Sequence, residues 1–300
     1  MKRCFCVRYL LIILLLFVTQ AVYPGTISLY EENDFLGKDA TGSSTDGYYT
    51  QGFQIKYEDD ADWGIKLAQQ IYTPENKDDP NPQYNDRPYA GWLHGEFFKK
   101  TYKENYENYY ELGIGIVGPA SLAEETQTGF HKLMHMEPPM GWEWQLNNEP
   151  TLQLAYYRTY SIFVNNYIEF RPYGGANFGN ALVNVELGNI IRVGYNIPKN
   201  FDPVIRLLQT DKTFWDNVYA YGFIGGKVYA VARNIFLDGN TFSHNVVTVD
   251  KENIVGDGLL GLCFGIYGFE ATMTHVERTK EFTTQSRDER FDSLQIGYTF

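Results

Sequence analysis

Apolar and polar residues alternate with a period of two along much of the chain, most clearly at its carboxy end. From Phe291 to Phe300 the even positions Leu294, Ile296, Tyr298 and Phe300 are apolar, while Ser293, Gln295, Gly297 and Thr299 between them are small or polar. The same parity sets Tyr110, Leu112, Ile114 and Ile116 against Tyr109, Glu111, Gly113 and Gly115, and Leu260, Leu262, Phe264 and Ile266 against Gly261, Cys263, Gly265 and Tyr267. Successive side chains of a strand point to opposite faces, so this pattern marks β-strands with one apolar face. It predicts an all-β, antiparallel protein of twelve strands, near residues 25-33, 48-57, 63-72, 91-102, 107-117, 150-160, 164-174, 180-195, 216-236, 256-267, 269-281 and 290-300. An even number of strands suits a closed up-and-down barrel. No internal repeat or low-complexity linker divides the chain, so it reads as a single domain.

Periodicity leaves two architectures open. A soluble sandwich turns the apolar face inward, whereas an outer-membrane barrel turns it to lipid and the small, polar face into the lumen. The opening residues favour the barrel. Lys2, Arg3 and Arg8 accompany an apolar run of ten residues from Tyr9 to Val18, and Thr19-Gln20-Ala21 offers a small-residue cleavage site. Residues 1-21 therefore read as a secretory signal peptide and 22-300 as the barrel. Tyrosine and phenylalanine are frequent near strand ends, and the last strand stops on an aromatic residue, as outer-membrane barrels commonly do. The expected location is the bacterial outer membrane. With both ends at the periplasmic mouth, the connections 34-47, 73-90, 118-149, 175-179, 237-255 and 282-289 face the cell exterior, and 58-62, 103-106 and Gly268 form short periplasmic turns. The segment 196-215 is a long periplasmic exception, with a short helix expected over Val204 to Leu208.

Composition narrows the function classes. With 44% apolar and 21% charged residues the chain can bury a core. Its 37 acidic residues against 25 basic give a formal charge of -12, and loss of Lys2, Arg3 and Arg8 with a signal peptide takes this to -15. Nucleic acid is excluded as a partner unless a metal ion or a local basic patch intervenes. Cys263 is the single cysteine beyond residue 21, so no intramolecular disulfide is expected, and a monomer is the expected state.

Polar residues concentrate in the first three outward connections beyond what barrel building requires. They include Glu31-Glu32-Asn33-Asp34 at a strand top, Thr45 to Thr50 on the return, Asn85-Asp86-Arg87-Pro88 in the second, and Glu124, Glu125, His131 and Glu137 in the third. These connections leave neighbouring strands on one side, so their residues converge at one rim. Asn33-Asp34 also fits ordinary turn chemistry, Arg87 fits a loop charge paired with Asp86, and Trp92 fits an interfacial anchor. His131 and His135 are four apart, the spacing of two imidazoles on one helical turn, but no H-E-x-x-H motif accompanies them. Oxygen donors are the richer supply, which suits a hard cation such as calcium. No G-x-S-x-G elbow or phosphate-binding glycine loop is present. A hydrolase built from these residues would activate water through His131, with a cation taking up oxyanion charge.

The segments Glu31 to Phe35, Thr45 to Gly52, Asn85 to Leu93, Gly118 to His131 and Gly141 to Pro150 resemble, in order, motifs of the outer-membrane lipid A 3′-O-deacylase family, and the resemblance extends along essentially the whole mature chain. It implies a twelve-stranded barrel that hydrolyses an ester-linked acyl chain from the lipid A of lipopolysaccharide, with calcium required. Residue by residue, it implies catalytic roles for Asn33, Asp34, Thr50 and His131, with His131 activating water and calcium held near the Asn-Asp pair. Where the family carries a Lys-Arg pair in the second outward loop, this chain reads Asn76-Lys77-Asp78-Asp79, leaving Lys77 as one candidate for gripping substrate and Arg87 as the other. Asp34 and Glu137, the latter six residues beyond the histidine, are the candidate calcium ligands. Two rivals remain: a calcium-dependent phospholipase, whose serine would have to come from Ser243-His244, and a non-catalytic pore or adhesin.

Overall fold

The computed structural model describes residues 24-33, 48-198 and 218-300. The expected signal peptide, Asp34 and the helix expected at Val204 to Leu208 lie outside the described residues. Thirteen strands are described: β1 (Gly25–Asn33), β2 (Tyr49–Asp59), β3 (Trp63–Tyr72), β4 (Ala90–Tyr102), β5 (Tyr106–Val117), β6 (Glu149–Tyr160), β7 (Ile162–Asn165), β8 (Ile168–Gly179), β9 (Leu182–Tyr195), β10 (Val218–Asn234), β11 (Ile254–Ile266), β12 (Phe269–Arg278) and β13 (Glu289–Thr299). Helix α1 (Ala123–Leu133) lies between β5 and β6, and the short helix α2 (Ile235–Asp238) follows β10. Twelve strands close into one antiparallel barrel: each pairs with its sequence neighbour, β6 pairs with β8, and β13 returns to β1. The four-residue β7 pairs with β8 alone and is no part of the wall.

The strands match expectation to within two residues at each end except the seventh and the eleventh, the latter stopping at Arg278 rather than 281. The expected strand 164-174 begins instead at Ile168, because Asn165 Oδ1 accepts the Tyr167 N–H at 2.8 Å and turns the chain there. It continues to Gly179, so the expected connection 175-179 shrinks to residues 180-181. Those glycines belong to the strand: a Cβ on Gly175 would run into the ring of Tyr157 on β6. The expected strand 216-236 ends at Asn234, whose Oδ1 accepts the Phe236 N–H at 3.1 Å and caps α2.

Burial is inverted relative to a soluble sheet. On β11 the outward residues Leu260 and Leu262 are 58% and 70% exposed, while the inward Asp257 and Cys263 are 5% and 3% exposed. On β3 the outward residues Ile65 and Leu67 are exposed and the inward Lys66, Ala68 and Gln70 are buried. A wall of exposed Leu, Ile and Phe around a charged interior is at rest only where lipid replaces water outside, which decides between the two architectures. No described helix is long and apolar enough to cross a membrane, so crossing falls to the strands.

Charge pairs and aromatic rings cross the lumen and leave between them a cavity lined by Gln54, Lys66, Gln70, Glu111, Gln153 and Lys227. Lys66 sits between Glu96 at 2.9 Å and Glu111 at 2.5 Å, Lys100 meets Glu58 at 2.8 Å, and Arg278 holds both carboxylate oxygens of Asp257 at 2.9 Å. Each charge is balanced by an opposite one, as burial demands. Tyr49, Tyr72, Trp92, Phe98, Tyr109 and Tyr157 pack among these pairs. At the loop end α2 turns inward: Phe236 is fully buried, stacked on Tyr72 at 4.3 Å and packed on Trp92 at 5.8 Å. Leu260 lies midway along β11, so Leu260→Arg is expected to lower stability by about 2–4 kcal/mol in denaturant unfolding in liposomes.

Candidate active site

The 118-148 connection builds the site, and it does so on the outside of the barrel. After Pro119–Ser121 the chain passes through Leu122 at φ 60° and enters α1. Glu124 and Glu125 in its first turn and His131 and Lys132 in its last complement the helix dipole. Ala123, Gln127 and His131, spaced four apart, form its buried face. The wall beneath consists of Gln69, Ile71 and Gly91, which share the outward parity of Ile65 and Leu67. A Cβ on Gly91 would collide with the side chains of Ser121 and Ala123, and Gln69 Nε2 donates to the Ser121 carbonyl at 2.7 Å. Ile71, Tyr89, Ala123 and Trp142 form a buried cluster, which is why Ile71 is 1% exposed at an otherwise lipid-facing position. Trp142 clasps the helix from the other side, its Nε1 donating to Gln127 Oε1 at 2.9 Å.

His131 is 9% exposed, and its Nδ1 lies 2.6 Å from the backbone carbonyl of Glu137. A carbonyl can only accept, so Nδ1 carries a proton and donates, which in the neutral imidazole leaves the lone pair on Nε2. That is the tautomer a general base needs. Glu137 thus supplies a backbone group to the histidine, while its side chain is exposed. The helical pairing of His131 with His135 does not form, because α1 ends at Leu133 and His135 is an exposed residue at φ 57°.

A polar patch interrupts the apolar wall beside this helix. Asn33 and Glu31 of β1 have outward parity, and Gln51 on β2 is the register partner of Asn33 and donates to Glu31 Oε1 at 2.9 Å. Thr50 occupies a bulge between Tyr49 and Gln51, where its hydroxyl meets that of Thr73 at 2.6 Å. Asn33, Thr50 and α1 therefore belong to adjacent strands β1 to β4 at one end of the barrel. The patch continues onto β13 and β12, where Asp292 is the register partner of Asn33, His275 Nδ1 lies 2.9 Å from Asp292 Oδ1, and Arg290 meets Glu277 at 3.0 Å. Sequence reasoning passed over Gln51, Gln69, His275 and Asp292. Their signal was polarity at positions whose parity assigns them to lipid.

Arg87 and Lys77 are not presented at the surface. Arg87 is fully buried: Nη1 donates to the Tyr48 carbonyl and to Glu281 Oε2, both at 3.2 Å, and its guanidinium lies 4.6 Å from the centre of the Tyr72 ring. It ties the second connection to the base of the first and to the 279-288 connection. Lys77 is buried too, and its carbonyl accepts the Met140 N–H at 2.9 Å and the Tyr89 hydroxyl at 3.4 Å, locking the second connection to the third. Burial pushes the Asp86 carboxyl and the Tyr48 hydroxyl above their ordinary pKa values. Among the described residues no three His, Cys, Asp or Glu side chains gather into a cation site. Asn33 and its register partner Asp292 nonetheless supply hard oxygen donors from adjacent positions of the wall.

A closed twelve-stranded barrel with a lipid-facing wall and a polar site on that wall defines an outer-membrane β-barrel protein. The model of the family described as outer membrane protein LpxR matches residues 5-300, and the chain belongs to that family. LpxR from Salmonella typhimurium has a similar fold, with a TM-score of 0.79 at 21% identity, covering 92% of this chain and 100% of that one. The KdgM porin covers 92% of this chain and 99% of its own at 8% identity, with a TM-score of 0.41. A comparison with curated proteins gave no match. Arg87→Ala would take from the buried Glu281 its 3.2 Å charge partner. The expected loss is about 3 kcal/mol in denaturant unfolding, with earlier proteolysis of the 73-89 connection.

Proposed function

We propose that this protein is a lipid A 3′-O-deacylase acting from the cell-exterior side of the outer membrane. The observation that carries the reading is His131: a buried imidazole on the inner face of α1, its Nδ1 proton committed to a backbone carbonyl and its Nε2 left as acceptor. Nε2 takes a proton from water as the water oxygen attacks the acyl carbonyl carbon. The bond to the sugar oxygen then breaks, and Nε2 returns the proton to that oxygen, leaving a free 3′-hydroxyl and a fatty acid. Asn33 and Thr50 lie on neighbouring strands at the same end of the barrel and serve to orient the ester. Calcium fits the oxygen donors Asn33, Asp34 and Glu137, and when bound it supplies positive charge for the developing oxyanion.

A site on the outer wall lets the substrate react without leaving its leaflet. Arg87, buried and paired, acts in this reading by fixing the second connection, and Lys77 holds the backbone that meets the third. The phospholipase reading lacks a partner for its serine: Ser243 Oγ and the His244 carbonyl both accept from Asn147 Nδ2, at 3.0 and 3.3 Å, in a structural join between connections. The pore reading is opposed by Phe236, which packs on Tyr72 and Trp92 across the loop end of the lumen.

Mass spectrometry of lipid A from membranes with wild-type protein is expected to show loss of one 3′-linked acyl or acyloxyacyl group. His131→Ala should slow this by about 10²–10⁴-fold while the barrel remains folded. Unchanged lipid A with a folded wild-type barrel would sink the deacylase reading. Chelation of divalent ions should abolish release and calcium alone restore it; turnover that survives chelation removes calcium from the reaction.

A further inference from the structure

Helix α1 has three faces, and the buried stripe accounts for one. A second carries Glu124, Glu125, Thr128 and Lys132 into water. The third is an exposed apolar flank: Leu122 and Phe130 are 52% and 43% exposed, and Leu133 is 73% exposed. At about 100° per residue these three fall on one side of the helix, together with the small Thr126 and Gly129. The chain beyond continues the theme, with Met134, Met136 and Met140 between 41% and 56% exposed. Six large apolar side chains of one connection are thus exposed, next to a charged face, which is the composition of a helix lying in a membrane interface.

The seating of α1 says what covers this flank. Its start rests on Gln69, Ile71 and Gly91, at the end of the outer wall. Leu67, Ile114 and Leu152 form one register row of exposed apolar residues across β3, β5 and β6. That row is two residues below Gln69 along β3, about 7 Å. The start of the helix, where the apolar flank begins at Leu122, therefore stands beside the lipid-contacting belt of the barrel. A helix held against the outside of a lipid-facing wall, so close to the belt, has acyl chains as its neighbours.

We propose that the flank of α1 formed by Leu122, Phe130 and Leu133, with Met134, Met136 and Met140, is immersed in the acyl region of the leaflet that meets this end of the barrel. The helix is then a monotopic element attached to a transmembrane barrel, with Lys132 and the glutamates in the headgroup layer. Methionine suits the place, because its flexible thioether adapts to disordered chains. Immersion also sets the depth of His131, which is carried on the same helix. The proposal concerns where α1 lies and holds whatever reaction His131 performs.

Site-directed fluorescence in liposomes tests it without turnover. Cys263 is buried in the barrel interior, so in a Cys4→Ser/Cys6→Ser chain a polarity-sensitive thiol dye can be placed separately at Leu133→Cys, Met136→Cys and, as control, Lys132→Cys. Immersion predicts blue-shifted emission at 133 and 136, quenching by lipids with a nitroxide on the acyl chain, and little quenching by aqueous iodide. At 132 iodide should quench well. The proposal is overturned if 133 and 136 emit as in water and are reached by iodide. It is also overturned if they are shielded from iodide but untouched by acyl-chain nitroxide, with shielding that depends on protein concentration, because a second copy then covers the flank.

Discussion

The structure depends on one inversion: a closed sheet whose hydrogen-bonding edges are all paired, wearing its apolar residues outside and its charges inside. Closure lets every strand satisfy its backbone groups within the wall, which a lipid surround makes obligatory. With the outside given to Leu, Ile and Phe, polar residues are pushed into the lumen, where they must compensate one another. The Lys66 pairs with Glu96 and Glu111, and the Asp257 pair with Arg278, are consequences of that constraint. So is the stack of Tyr72, Trp92 and Phe236 at the loop end of the lumen.

The same inversion makes the site conspicuous. On a lipid-facing wall a polar side chain is costly unless it is covered or lies at the headgroup layer. Near the loop end of β1 to β3, Glu31, Asn33, Gln51 and Gln69 stand where the pattern calls for apolar residues, and the 118-148 connection folds down beside them. Its grip comes from a missing side chain at Gly91 and an aromatic clasp at Trp142. Arg87 and Lys77 act one layer further in, joining the connections to each other. In Arg87 it is the guanidinium that makes the join, through Tyr48 and Glu281, and in Lys77 it is the backbone carbonyl.

Much of the barrel was legible because strand parity is local information. The alternation at Leu294, Ile296 and Tyr298, and at Leu260, Leu262 and Phe264, is visible without knowing any contact, and strand count and connection lengths follow from it. Errors fell where glycine or asparagine has two meanings. Gly175 and Gly179 read as loop residues and are strand positions where a Cβ would meet Tyr157 and Gln153, while Asn165 read as strand and makes a turn. His131 could be named from its connection, but not its tautomer, which depends on a carbonyl six residues away.

Residue order along the chain thus carried the fold class, the strand bounds to within a few residues, and Asn33, Thr50 and His131 among the polar groups near β1, β2 and α1. Which side of the wall those groups occupy was settled in three dimensions. Parity names two faces without saying which a connection will cover, and that depends on the cluster of Ile71, Tyr89, Ala123 and Trp142 closing over one of them. Burial likewise separated Arg87 from the surface, because a guanidinium's partners, Tyr48 and Glu281, come from connections distant in sequence. Short-range periodicity is a property of the strand alone; the placement of a charge or a helix against the wall is a property of what packs on it.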